Sequence, residues 1–311
     1  SASPDTVDRL SFAKRIVISG AGSSFYISQI AAGAMRSYCR LPAEPVPLSE
    51  VLLRPRAVFA AEELSNQPVV VVSRSGTTTE ALEVIKAAKA RGQHTIAITC
   101  RPASPMAHLA DEVLAIPEGD EEAIVMTRSF ASQAALLMRL GTRLGDPGFA
   151  RDLDVLASHW VETEPHVERA FELAAMNPSR VIVLGGGPAF GLANEAVLKM
   201  TETSQVPASA FHPLVFRHGP MSVCEPGMLV IGIVGGEAEA AERRVVEETA
   251  ALGATTWLLG PDGPGAELGH IARLPLVLYP LQALALGIAT VRGLDPEVPR
   301  HLEQVVVLEG Q

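Results

Sequence analysis

The sequence predicts an α/β protein made of doubly wound parallel sheets with helices on both faces. Three observations carry that prediction. Short β-branched runs alternate with helical stretches along the 311 residues. Aromatic residues are only 5% of a chain that is 48% hydrophobic, so aliphatic side chains and Ala must fill the interior, as buried parallel strands require. The same strand–glycine–helix unit also occurs twice.

The two copies are "RIVISGAGSSFYISQIA" from Arg15 and "RVIVLGGGPAFGLANEA" from Arg180. An offset of 165 residues aligns Arg15 with Arg180, Gly20 with Gly185, Gly22 with Gly187 and Phe25 with Phe190. Each copy reads as a β-branched strand, a glycine turn and a helix. In the first half "VVVVS" (69–73), "TIAIT" (95–99) and "EVLAIP" (112–117) read as strands, with helices over 78–91 and 127–145. In the second half "MLVIGIV" (228–234), "TTWLLG" (255–260) and "LPLVLY" (274–279) read as strands, with helices over 236–252 and 280–292. An amphipathic helix over 151–175 lies between the halves. These features predict two domains, 1–150 and 151–311, each long enough to bury its own core.

Charge and composition narrow the class. The net charge is −10, the isoelectric point is near 5.3 and the mean hydropathy is +0.24. No Lys/Arg block stands out, which argues against nucleic acid as a partner. Cys39, Cys100 and Cys224 lie far apart without metal-ligand spacing, so a reduced cytoplasmic protein is expected, with no metal. No stretch reads as a signal peptide or a membrane span; "LPLVLYPLQALALGIATV" is broken by Pro, Gln and Gly. The opening "SASPDTVDRL" reads as a frayed start or a truncated helix.

Two polar loops follow strands of the first half, where open α/β sheets bind ligands. They are "GAGSS" (20–24) and "SRSGTTT" (73–79). Gly22 and Gly76 permit close backbone approach, Ser24, Ser73, Ser75 and Thr78 offer hydroxyl donors, and the helices that follow present N–H groups and dipoles to an anion. Arg74 adds a charge. Helix capping is the alternative, but one cap accounts for one hydroxyl. No GxxxxGK[ST] occurs, and "GAGSSF" lacks the third glycine of a dinucleotide fingerprint. In the second half the equivalent turns have lost their hydroxyls. Instead "ANEAVLKMTETS" places Glu195, Lys199 and Glu202 on one helical face, and "FRHGP" places His218 in a loop. A surface ion pair and a solvated histidine are the plain alternatives there.

Together "GAGSS", "SRSGTTTEAL", "NEAVLKMTETSQVPASAF", "FRHGP" and "PLQALA…GLDPEVPRHLEQV" resemble the tandem SIS (sugar isomerase) proteins. The nearest likeness is to the isomerase half of glutamine–fructose-6-phosphate aminotransferase and to stand-alone SIS-type amino-sugar-6-phosphate deaminases and deglycases. The resemblance implies two flavodoxin-like SIS domains and a homodimer with active sites near the subunit interface. It implies that Ser24, Ser73, Arg74, Ser75 and Thr78 grip the phosphate of a sugar 6-phosphate substrate. It makes Glu202 the base between C1 and C2, sets Lys199 near the sugar hydroxyls, and makes His218 the ring-opening histidine supplied by the neighbouring subunit. No cofactor is implied.

Departures accompany the likeness. Arg74 stands where the synthases often carry Gln. Gln304 stands in "PRHLEQ" where they carry a lysine, with His301 nearby. No cysteine-led glutaminase segment is present, so channelling of ammonia from glutamine is not expected of this chain. The expected activity is an amino-sugar-6-phosphate deaminase or isomerase, with glucosamine 6-phosphate as first substrate. A fructosamine-6-phosphate deglycase and a non-catalytic sugar-phosphate sensor are the alternatives.

Overall fold

A computed structural model describes residues 4–59, 66–142 and 145–302. They form two compact units, one within residues 1–150 and one over 151–302. The tail from residue 303, which the sequence reading assigns to the second domain, lies outside the described residues, and Gln304 with it.

The first unit holds a parallel sheet in the order β2-β1-β3-β4-β5. Its strands are β1 Ile16–Gly20, β2 Ala43–Pro47, β3 Val69–Val72, β4 Thr95–Thr99 and β5 Glu112–Ala115. Every residue of β1, β3 and β4 is buried, as continuous apolar strands covered on both faces should be. β2 was not legible as a strand. It carries Pro45 and Pro47 and sits at the sheet edge, where a missing N–H breaks no ladder bond. The helices include α1 Pro4–Ser11, α2 Ser23–Cys39, α3 Thr79–Ala90 and α4 Arg128–Thr142. Under one face Val17, Val69, Val71, Val84, Ile85 and Ala97 belong to one buried cluster.

The second unit holds a parallel sheet in the order β7-β6-β8-β9, with β6 Arg180–Gly185, β7 Ala208–Phe211, β8 Met228–Ile233 and β9 Thr255–Leu259. The helix expected over 151–175 is interrupted. It consists of α5 Pro147–Val155, a 3-10 stretch Leu156–Thr163 and α6 Glu164–Ala175. Pro165 explains the break: it lacks an N–H and its ring clashes with the carbonyl four residues back, so it suits a helix start and not an interior.

Further helices are α7 Pro188–Lys199, α8 Glu239–Ala251 and α9 Leu274–Val291. The expected strand over 274–279 is wrong, because those residues are the first turns of α9. A short apolar run has the same signature in a buried helix as in a buried strand, and Pro275 at the first turn marks a helix start. By length and hydropathy α9 alone meets the requirement of a membrane span among the described residues, yet 72% of that stretch is buried in the fold. It packs on α6 so closely that a Cβ at Gly287 would lie 2.6 Å from the Ala174 Cβ.

Candidate functional site

The two hydroxyl loops lie side by side because β1 and β3 are neighbours in parallel register, Ser19 opposite Val71. β1 is flanked by β2 on its other side, so the crevice between these loops is the switch point of the sheet. Loop 20–24 turns at Gly22, with φ 54°, and α2 begins at Ser23. Ser24, Ser73 and Ser75 are all buried.

Within loop 73–79 the hydroxyls form a small network. Ser73 Oγ accepts the Gly76 N–H at 3.2 Å and lies 3.5 Å from Thr78 Oγ1. Ser75 Oγ accepts the Thr77 N–H at 3.2 Å and the Thr77 hydroxyl at 2.8 Å. A serine that accepts in this way keeps its own O–H to donate. Helix capping accounts for neither helix, since the residues preceding α2 and α3, Gly22 and Thr78, make no side-chain cap bond.

Arg74 is the member of the expected phosphate set that points elsewhere. Its guanidinium is buried and donates to the carbonyls of Ala123 (2.7 Å) and Ile124 (3.3 Å), with Glu121 Oε1 at 3.9 Å. Its own carbonyl accepts from the Thr99 hydroxyl and the Cys100 N–H. Arg74 therefore ties the hydroxyl loop to β4 and to loop 120–124.

Glu121, which sequence reasoning missed, anchors that loop. It accepts from the N–H and hydroxyl groups of Thr127 and Ser129 and from the Arg128 N–H, holding the start of α4. Burial pushes its carboxyl up, but the bonds from Ser129 and Thr127 outweigh burial and hold it below the usual carboxylate range. The six-to-eight-residue reach from Glu121 to the helix start is longer than a capping box, so no local motif announces it. Arg101, Asp120, Glu121, Glu122 and Arg128 line a cleft of about 570 Å³ along the same loop.

In the second unit α7 and the turn that follows it carry the titratable set. Lys199 Nζ lies 2.6 Å from Glu202 Oε2 and 3.4 Å from Glu195 Oε1. Glu195 is fully buried, Lys199 is nearly so, and the Glu202 side chain keeps 17% of its surface exposed. The plain surface-pair alternative thus does not describe this cluster. Residues Met200–Ser204 form a π turn after α7, which closes at Gln205 in the left-handed region. The hydroxyls of Thr203 and Ser204 each bond a carbonyl four residues back, that of Lys199 at 2.7 Å and that of Met200 at 2.6 Å. Such turns concentrate at functional sites.

His218 is exposed on the turn after the short helix Pro213–Phe216, its N–H bonded to Val215 O at 3.0 Å. His301 is exposed with φ 57°.

Comparison with known proteins gives this arrangement a family. Residues 9–143 and 176–259 match the SIS domain. The chain belongs to the SIS domain family. The two matched segments of this SIS protein contain the hydroxyl loops and the Glu195–Lys199–Glu202 cluster respectively. Among curated relatives, glutamine–fructose-6-phosphate aminotransferase of Zymomonas mobilis is 28% identical over 99% of the chain and 54% of its own length. The corresponding protein of Symbiobacterium thermophilum is 30% identical over 77% of the chain and 44% of its own length. The SIS chain thus spans about half the length of the curated relatives it matches.

Among solved structures, a glucosamine-6-phosphate deaminase from Thermotoga maritima superimposes with a TM-score of 0.84 at 27% identity, covering 96% of this chain and 92% of that one. The C-terminal domain of glucosamine-fructose-6-phosphate aminotransferase from Francisella tularensis shares the fold, with a TM-score of 0.81 at 19% identity over 96% of this chain and 90% of that one.

Proposed function

We propose that this SIS protein is an amino-sugar-6-phosphate deaminase/isomerase that converts glucosamine 6-phosphate and water to fructose 6-phosphate and ammonia. Similarity to the aminotransferases and to the Thermotoga maritima deaminase supports sugar-phosphate isomerase chemistry. The observation that carries the reading is the Lys199–Glu202 pair, a carboxylate and an ammonium at 2.6 Å on a helix whose counterpart in the other repeat carries hydroxyls.

In this reading Ser24, Ser73, Ser75 and Thr78 hold the phosphate through charge-assisted hydrogen bonds. His218, acting across a homodimer interface, passes the ring proton between O5 and O1. Glu202 takes the C2 proton of the open aldose and returns it at C1, while a proton passes from the C2 amino group to O1, leaving an imine at C2. Water adds to the imine and ammonia departs, so the ketose carries the oxygen of that water. Lys199 pairs with Glu202 and stabilises charge on the substrate oxygen in the enediol-like intermediate. Arg74 is not a phosphate ligand in this scheme.

The cleft lined by Arg101, Asp120, Glu121, Glu122 and Arg128 favours a second reading. Its two guanidiniums and three carboxylates suit a zwitterion attached to the sugar, as in a fructosamine 6-phosphate.

The test is ammonia or amine release over a panel of hexosamine and fructosamine 6-phosphates, with Glu202→Gln alongside. The expected result is turnover of a hexosamine 6-phosphate that falls at least ~10²-fold in Glu202→Gln while sugar-phosphate binding persists. Binding without turnover of any panel member would overturn the enzyme reading in favour of a sensor.

A further inference from the structure

The strand ends of the second sheet hold charged side chains where the first sheet holds hydroxyls. Between β6 and β8 the place is taken by the chain itself. Glu242 of α8 directs its carboxylate at Gly186, where a Cβ would overlap Oε1, and it takes a bond from the Gly235 N–H. Between β8 and β9 the arrangement is different. Arg273 is 3% exposed and donates through Nη2 to Gly260 O at 2.6 Å. Its Nε and Nη1 are buried and have no acceptor among the described residues, and the same holds for Nδ1 of His270.

Other polar side chains lie on the same loops. The His270 ring packs on the backbone just after β8, where a Cβ at Gly235 would overlap its Nδ1 and lie 2.6 Å from the ring Cγ. Burial, reinforced by the Arg273 charge and opposed by Glu239, pushes His270 down to about 4, so the ring is neutral and able to donate one N–H. Arg243 of α8 reaches the same loop, its Nη2 3.6 Å from the Cβ position of Gly260. The carboxylates whose charge acts on Arg273 are Glu239 and Asp262. Glu239 is engaged by Arg243 at 3.1 Å, and no hydrogen bond joins either carboxylate to Arg273 among the described residues.

A guanidinium taken out of water with N–H groups unpaired is costly, and native proteins rarely leave one so. The cost is recovered when an acceptor enters. His270 and Arg273 also lie beyond residue 259, where the second SIS match ends.

We propose that Arg273, with His270 and Arg243, forms a second oxyanion site at the ends of β8 and β9, built for a phosphate- or carboxylate-sized group. The Gly/Pro-rich segment 260–265 supplies its wall, and Glu239 competes with the anion from the exposed side. This site is independent of the hydroxyl loops of the first unit.

Calorimetric titration of the full chain with inorganic phosphate at constant ionic strength tests it, with glucosamine 6-phosphate as a second arm to separate free from esterified phosphate. Two phosphates per chain are expected, one lost in Ser75→Ala and the other in Arg273→Met. Arg243→Gln, at a partly exposed position, guards against misfolding of the buried variant and should weaken the second site several-fold. Glu239→Gln should tighten it several-fold, which a purely structural arginine would not do. A single phosphate that vanishes in Ser75→Ala and is unchanged in Arg273→Met, Arg243→Gln and Glu239→Gln would overturn the inference and leave the deaminase reading intact. A single phosphate lost only in the Arg273 and Arg243 variants would support it and count against the hydroxyl cradle.

Discussion

Lys199 Nζ lies 2.6 Å from Glu202 Oε2, and that contact spans the junction between the end of α7 and the π turn that follows it. The ammonium also faces the buried Glu195 at 3.4 Å, so one cation serves two carboxylates. Lys199→Met removes the counter-charge of both and is expected to destabilise the protein by about 3 kcal/mol. Adding Glu195→Gln to Lys199→Met should recover most of that loss, because the carboxylate beside the apolar side chain is then neutral. Urea unfolding of the two single variants and the double variant measures the coupling, and strict additivity would show that the pair does not interact.

Arg74 makes a prediction opposite to the one its sequence position invites. Its donors are spent on Ala123 and Ile124, so Arg74→Gln should lower stability by about 1–3 kcal/mol while changing sugar-phosphate affinity less than about threefold. Ser75→Ala should act chiefly on binding. It removes one charge-assisted bond to the phosphate, worth about 1.5 kcal/mol or tenfold in affinity, while loss of the acceptor for the Thr77 N–H and hydroxyl costs about 1 kcal/mol of stability. Thermal melts and binding isotherms on both variants separate the two roles.

The strand–loop–helix order of both units was legible because parallel strands buried on both faces leave unbroken β-branched runs, as in Val69–Val72 and Met228–Ile233. Of the edge strands, β5 and β9 were legible but β2 and β7 were not: Ala43–Pro47 and Ala208–Phe211 are only partly buried and lack such runs. The 274–279 stretch misled because "LPLVLY" carries no period, and only the tertiary burial of α9 decides its state. Among the candidate site residues, Ser24, Ser73, Ser75 and Thr78 stood out by type and position and Lys199 and Glu202 by sharing a helical face, while the roles proposed for Lys199 and Glu202 come from the family likeness. Glu121 was not, since its partners lie six to eight residues away across a loop. The direction of Arg74 depends on carbonyls 49 and 50 residues further along the chain.

Glu121 gives a pH dependence with a definite sign. Its folded-state carboxyl is held below the ordinary value near 4.5, so the unfolded chain takes up this proton first as pH falls. The stability it contributes is complete above the ordinary glutamate range and is lost as pH drops through the folded value. Melting temperature should therefore fall by more in the wild type than in Glu121→Gln as pH drops below the ordinary glutamate range. The variant starts from a lower plateau because an amide cannot accept all the bonds that Thr127, Arg128 and Ser129 donate. Equal slopes in the two proteins would show that other carboxylates govern acid unfolding.

Gly76 and Gly22 offer a graded test of the hydroxyl cradle. Both have positive φ, 63° and 54°, which an L side chain adopts at a cost of about 1–2 kcal/mol. They differ in what a Cβ would meet. At Gly22 nothing lies within 4 Å, so Gly22→Ala carries the backbone cost alone. At Gly76 the new methyl would overlap Ser104 Oγ and sit 2.6 Å from Ser104 Cβ, and Ser104 caps the helix Pro105–Leu109 through the Ala107 N–H. Gly76→Ala must therefore displace either that cap or the turn that holds Ser73 and Ser75. It is expected to cost about 3 kcal/mol or more and to weaken sugar-phosphate binding well beyond the effect of Gly22→Ala. Adding Ser104→Gly to Gly76→Ala removes the overlap and should return part of the affinity, whereas an unchanged affinity would place the damage in the backbone torsion alone.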